Sequence, residues 1–264
     1  GFFDNLTVAT YYAQTSTDGR PQEDASYRGQ VDYNGDRYGV IAEHLVVGKN
    51  FNPEVGFVRR LDMSRNFGSF RFSPRPRRHK YVRKLYWTGS FDHIDDGAGR
   101  LQTREGIGSF QTDFHSGDKF TLNYTNNHEF LPVPLRLTPN VSVPIGAYDF
   151  QNVQVGYTYA PTRKVASGAV TVDRGSFYSG DKTTVTISSG KLVFPPHVIL
   201  EPSYSMNKVS LAKGEFTTHL VGSRVNVPMT PLMFLGALLQ FNSTARTVSS
   251  NVRFRWEYQP GSEL

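Results

Sequence analysis

The sequence predicts an all-β chain, an antiparallel up-and-down transmembrane β-barrel of roughly 14 to 16 strands. Three observations carry that expectation. Aromatic residues make up 13% of the 264 residues and Gly numbers 24, although hydrophobic residues reach only 38% and mean hydropathy is negative. Several segments alternate strictly between apolar and polar residues. Turn signals recur at about one strand length.

The alternation is cleanest near the end of the chain. Val252, Phe254, Trp256 and Tyr258 fall on one face of a strand, and Asn251, Arg253, Arg255 and Glu257 on the other. The segment before it repeats the design, with Met233, Leu235, Ala237, Leu239 and Phe241 opposed by Gly236, Gln240 and Asn242. Val153, Val155, Tyr157 and Tyr159 likewise oppose Asn152, Gln154, Gly156 and Thr158. Near the start, Tyr27, Val31 and Tyr33 alternate with Arg28, Gln30 and Asp32. Asn34-Gly35-Asp36 then turns the chain into Tyr38, Val40 and Ala42, and Asn-Gly between alternating runs signals a hairpin.

Further turns read at 116–119, 160–163, 179–181, 212–214 and 259–261, which makes the chain a meander of about fourteen strands, some ~10 to 13 residues long. Connections at 14–26, 47–66 and 131–147 are longer, as expected when one rim carries loops. Two segments, 100–114 and 165–173, show no clean polar phase and are expected to line the interior or pair irregularly. The chain is read as a single domain over residues 1–264. Because it opens on Gly1-Phe2-Phe3 and stops just after Pro260-Gly261, it is expected to be a segment of a longer protein, with the closing strand beyond it.

Composition narrows the chemistry. The longest apolar run, Leu232 to Leu239, is broken by Gly236 and falls far short of the roughly 18 residues of a membrane helix, so helical spans are excluded. A spanning strand needs only about 9 to 11 residues with alternate positions apolar, so low hydropathy is no argument against a membrane. Cysteine is absent, which removes disulfide frameworks and thiolate sites together.

The net charge is +6. It equals the contribution of one acid-free stretch holding Arg75, Arg77, Arg78, Lys80, Arg83 and Lys84. Clustered guanidinium groups suit the phosphate of lipopolysaccharide, since they donate paired hydrogen bonds to phosphate oxygens. The alternative for the same residues is a periplasmic turn or a lumenal constriction. Nucleic acid is not expected as a partner, because interleaved aromatic platforms are largely missing.

Arg28, Asp32, Glu43, Arg253, Arg255 and Glu257 lie on polar faces and would line a lumen, either selecting solutes or forming a closed, ion-paired interior. Tyr157, Tyr159, Trp256 and Tyr258 end apolar faces and would join an interfacial girdle of aromatic rings. Packing against a second sheet is the alternative. Asp92, His93, Asp95 and Asp96 match no calcium-loop spacing and read as a solvated loop. The seven histidines are scattered, no Gly-x-Ser-x-Gly elbow occurs, and no spacing selects a carboxylate pair for glycoside cleavage. No cofactor, metal or enzymatic activity is expected from these residues.

From about residue 40 onward the succession FNPEVGFVRR, SPRPRR, VPIGAYDF, GSFYSGD, KGEF and NVRFRWEYQPGSEL resembles a family of uncharacterised C-terminal outer-membrane β-barrel domains. In that family the barrel commonly follows a domain similar to carbohydrate-binding module family 9, in surface proteins of Gram-negative bacteria. The last motif also looks like the penultimate strand of many outer-membrane receptors. The resemblance implies architecture and a bacterial outer-membrane location, and it assigns no sugar-binding residue here. The expected function is a porin-like solute route or a surface anchor. A surface module that binds glycan or protein, with the barrel only as its anchor, is the alternative, and an outer-membrane hydrolase is a third.

Overall fold

The computed structural model describes residues 3–19, 22–54, 56–162, 167–194, 198–258 and 261. After a single 3-10 turn at Phe3–Asn5, every regular element is a strand: β1 (Leu6–Gln14), β2 (Ala25–Asn34), β3 (Tyr38–Val47), β4 (Met63–Phe72), β5 (Val82–Asp96), β6 (Leu101–Phe114), β7 (Lys119–Leu131), β8 (Leu135–Thr138), β9 (Val141–Val143), β10 (Gly146–Tyr159), β11 (Gly168–Phe177), β12 (Gly180–Ser189), β13 (Leu192–Phe194), β14 (Val198–Leu211), β15 (Gly214–Thr230), β16 (Met233–Asn242) and β17 (Thr247–Trp256). Fourteen of them form one sheet in the order β1-β2-β3-β4-β5-β6-β7-β10-β11-β12-β14-β15-β16-β17, with β13 paired to β14. β8 and β9 form a separate hairpin. The expected all-β antiparallel meander is therefore present.

Two compact units divide the chain, residues 1–112 with 123–152 and residues 113–122 with 153–264. In the first, the Asn34-Gly35-Asp36 turn sets the register Tyr33↔Val40 and Val31↔Ala42. That register continues as Val40↔Phe70 and Phe70↔Gly89. Because strand side chains alternate with a period of two, these pairings place Val31, Val40, Phe70, Tyr38, Phe72 and Trp87 on one face. The face is open: Val31, Val40, Phe70, Trp87 and Phe91 are all exposed. In the second unit the same device gives Val172↔Val185, Val185↔Met206, Val221↔Phe241 and Leu235↔Phe254.

The polarity of packing is inverted relative to a water-soluble sheet. Only eight apolar residues are buried among those described. In the first unit these are Val47, Phe51, Leu131, Val141 and Val143, all at or beyond strand ends on the side of the three long connections. Those connections span 15–24, 48–62 and 132–145, close to expectation, and antiparallel alternation puts them at one end of the unit's strands. β8 and β9 give the last one structure of its own.

The two segments without a polar phase are regular. Residues 101–114 form β6, and β11 pairs with β12 over ten residues without a register shift; residues 165–166 lie outside the described set. Ladder bonding tolerates weak polarity, so pairing here is decided by the neighbouring strands. The predicted turn at 116–119 is present with Gly117 at φ +87°. At 178–179 it is Tyr178 that takes the left-handed conformation, at φ +50°, two places before the predicted glycine. The turns at 160–163 and 259–261 fall partly outside the described residues.

In the second unit Asp118 is buried and accepts from the Tyr157 hydroxyl at 2.9 Å and from the backbone N–H of Ala160 at 2.8 Å. Its replacement by Ala strands a buried amide, which costs about 1–3 kcal/mol. Asp118→Ala is expected to lower the urea midpoint at unchanged slope, while Asp118→Asn, which keeps one acceptor, loses less.

Candidate functional site

The polar face of the first unit carries a chain of charges that steps across four strands. Arg28 on β2 donates from Nε to Glu43 Oε2 at 2.7 Å, and its Nη2 also contacts Glu43. Glu43 on β3 accepts at its other oxygen from Arg65 on β4, at 2.8 Å. Arg65 then grips Asp92 on β5 through Nε at 2.8 Å and Nη2 at 2.7 Å. Register explains the reach: Gln30↔Glu43, Glu43↔Phe67 and Phe67↔Asp92 put the carboxylates level, with Arg28 and Arg65 one same-face position away along their strands. Each ion pair is thus a diagonal contact, within range of a long side chain.

Glu43 is the hub, with its side chain 6% exposed, while Arg28 and Arg65 remain 34% and 28% exposed. Both arginines keep one side toward water, so the network needs no dry pocket to be stable. Arg28 and Glu43 are among the residues expected from the sequence to line a lumen, and Arg65 is not. An arginine two places before Phe67 in an alternating run was the available signal.

Beside the ladder a cavity of about 310 Å³ is lined by Asp92, Ile94, Thr103, Glu105, Asn127 and Phe150, among others. His128 and Arg104 approach Asp149 at 2.9 Å and 3.5 Å. Asp92, His93, Asp95 and Asp96 lie in strand β5 and not in a solvated loop. Asp92 is held by Arg65, His93 by Asp95 and Asp96 by Arg100. Alternation splits them between the two faces, which removes the convergence a cation site needs. No group of three or more metal-binding side chains occurs among the described residues.

The remaining expected lumen residues are more dispersed. Asp32 shares the ladder's face through Asp32↔Ile41. Arg253↔Gly236 and Arg255↔Phe234 place both arginines opposite the apolar face of β17, and Arg255 lies 3.8 Å from Glu257. Trp256 and Tyr258 are exposed and meet edge to face at 6.1 Å. Tyr159 is exposed and packs edge-on against Tyr157 at 4.9 Å, whereas the Tyr157 hydroxyl is committed to Asp118.

The basic stretch divides in two. Arg75 and Lys84 both bind Asp36 on the β2–β3 turn, at 2.9 Å and 2.8 Å, and Lys84 is buried in doing so. Arg77, Arg78, Lys80 and Arg83 are exposed. The acid that partly offsets the patch lies some forty residues earlier in sequence, which is why the stretch reads as acid-free. Hydrogen bonds from Arg75 and Lys84 hold the Asp36 carboxyl well below the usual carboxylate range.

No protein-family model matches the chain, and no curated protein matches it either.

Glu43→Gln is expected to leave Arg28 and Arg65 without a shared anion. With both guanidinium groups partly hydrated, the loss should be about 1–2 kcal/mol, read as a lowered denaturation midpoint. A parent-like midpoint would show that the ladder is not structural. For Asp36 the folded pKa is depressed, so its contribution is fully present above about pH 4 and is lost as pH falls through the lower folded value. Carbon-13 titration should find Asp36 still ionised at about pH 3, and Lys84→Met should bring it back toward the ordinary value.

Proposed function

We propose that this chain is an outer-membrane β-barrel whose apolar face meets lipid and whose polar face lines the interior, serving as a porin-like solute route. One observation carries the reading: the face holding the large apolar side chains is the exposed one, on strand after strand of both units. Val31, Val40, Phe70, Trp87 and Phe91 in the first unit and Val172, Val221, Phe241 and Phe254 in the second are all exposed. A continuous exposed face of large apolar side chains is untenable in water, and in a bilayer it is the ordinary state.

Strand length agrees. The main-sheet strands run from 9 to 17 residues, enough for a tilted span. Between the edge strands β1 and β17, the hydrogen-bonded ladder pairs the backbone within the sheet, as a hydrocarbon environment demands. In this reading the Arg28–Glu43–Arg65–Asp92 ladder faces the lumen, where alternating charges remain hydrated and bias the passage of ions. Arg253 and Arg255 add fixed positive charge on the same kind of face.

The resemblance to C-terminal barrel domains of Gram-negative surface proteins supports the same location. It also favours a second reading, supported by the three long connections of the first unit: a surface anchor that presents loops to a glycan or protein.

The chain contains two tryptophans, Trp87 and Trp256, both on the apolar face and exposed. In vesicles with brominated acyl chains, each single-Trp variant should be quenched strongly. Unquenched emission from both would overturn the membrane reading in favour of a soluble sheet. In planar bilayers a discrete conductance is expected, with Arg253→Glu shifting selectivity toward cations. An inserted, quenched but silent protein would decide for the anchor.

A further inference from the structure

A row of aromatic rings crosses the apolar face of the first unit at one end of its strands. Tyr38 opens β3 and stacks on Phe72, the last residue of β4, at 5.3 Å. Phe72 stacks on Trp87 at 5.8 Å, and Trp87 meets Phe110 at 5.3 Å. The register Tyr38↔Phe72 and Phe72↔Trp87 makes the row level across three strands. Amphipathic rings at one height on an apolar face mark the depth of a membrane interface.

Directly beyond the row stand cations. The Arg37 guanidinium lies over both Tyr38 and Phe72, at 5.6 Å and 5.4 Å. The β4–β5 connection brings Arg77, Arg78 and Lys80, and Arg83 shares the strand parity of Trp87 on β5. Arg77 and Arg78 make no polar contact among the described residues. The connection is not a loose loop: the backbone N–H groups of Tyr81 and Val82 donate to His79 Nδ1 at 3.2 Å and 2.9 Å, and Lys80 lies 5.5 Å from the Tyr81 ring. Arg78 holds φ +60°, a conformation that glycine would adopt more cheaply. A fixed turn therefore keeps an arginine where local geometry favours its absence.

Asp36, on the adjoining β2–β3 turn, is occupied by Arg75 and Lys84. On the membrane side of the row lies an open groove of about 660 Å³, walled by Phe70, Phe91 and Tyr124. An interfacial aromatic row with the Arg37, Arg77 and Arg78 guanidinium groups above it and an apolar groove below it has the profile of one amphiphile: an anionic headgroup joined to an acyl chain.

We infer that the basic turn 77–83, with Arg37, binds the phosphate of an anionic glycerophospholipid whose acyl chain lies over the aromatic row. The inference rests on the membrane reading above. It commits to a glycerophospholipid because the turn lies at the opposite end of the unit's strands from the three long connections. Barrels carry long loops on the outer side and short turns on the periplasmic side, so this rim meets the phospholipid leaflet and not lipopolysaccharide. Juxtaposed Lys and Arg attract anionic headgroups within a Debye length of the surface.

The test is native mass spectrometry of the full chain in neutral detergent, titrated separately with phosphatidylglycerol, phosphatidylcholine and lipid A. The expected result is preferential retention of phosphatidylglycerol. Arg77→Gln with Arg78→Gln should reduce that retention about tenfold, and Arg253→Gln with Arg255→Gln, which removes equal charge elsewhere, should leave it unchanged. Equal retention by both double variants would overturn the site, as would preference for lipid A. Quenching of Trp87 by brominated lipid, recorded on the same variants, separates the two failures. Quenching without a retention difference refutes the site alone, and no quenching refutes the membrane reading and the site with it.

Discussion

The constraint on which the rest of the structure depends is the two-residue period of a strand, imposed on one hydrogen-bonded ladder. Between the edge strands β1 and β17, backbone donors and acceptors are matched by neighbouring strands, and each second side chain goes to the same face. Register then has large consequences, because a slip of one residue would exchange the faces of a whole strand. The pairings from β1 to β5 and from β11 to β17 keep that phase, apart from one register shift between Pro228 and Thr230 at the end of β15. The result is a face of Val, Phe, Tyr and Trp and an opposing face of Ser, Thr, Asn and charge.

Charge enters this architecture where the polar face needs cross-strand cohesion without apolar packing. Glu43 joins two arginines on neighbouring strands and Arg65 joins two carboxylates, so each of these inner members has two partners. A chain of this kind fixes the spacing of four strands while leaving the outer groups hydrated. Where the second unit lacks charges, short hydroxyl and amide contacts take their place, as between Thr184 and Asn207 at 2.8 Å. The two faces thus hold together by different physics: directional polar contacts on one, aromatic stacking and the surrounding medium on the other.

The ends of the strands are specialised in opposite senses. At one end of the first unit, long connections bury the few apolar side chains that are shielded from solvent, Val143 among them at 1% exposure. At the other, a three-residue turn and a basic turn meet around Asp36, and the aromatic row begins at once. That asymmetry gives the sheet a direction, which a uniform ladder of strands lacks.

Alternation, turn chemistry and strand length were local properties, and the sequence by itself determined them: the all-β class, the hairpin at Asn34-Gly35, the faces of β16 and β17, and the count of about fourteen main strands. The partner of each charge was another matter. Arg65 and Asp92 are 27 residues apart and meet because the β4–β5 register Phe67↔Asp92 brings them to diagonal positions, and no local pattern encodes a register between strands. The same reason hid Asp36 from Arg75 and Lys84. The bond from the Tyr157 hydroxyl to Asp118 likewise joins residues that are distant in sequence, and alternation along the chain carries no trace of it. Periodicity is written in neighbours along the chain, whereas ion pairs and ring stacks depend on neighbours across it, which the tertiary structure alone supplies.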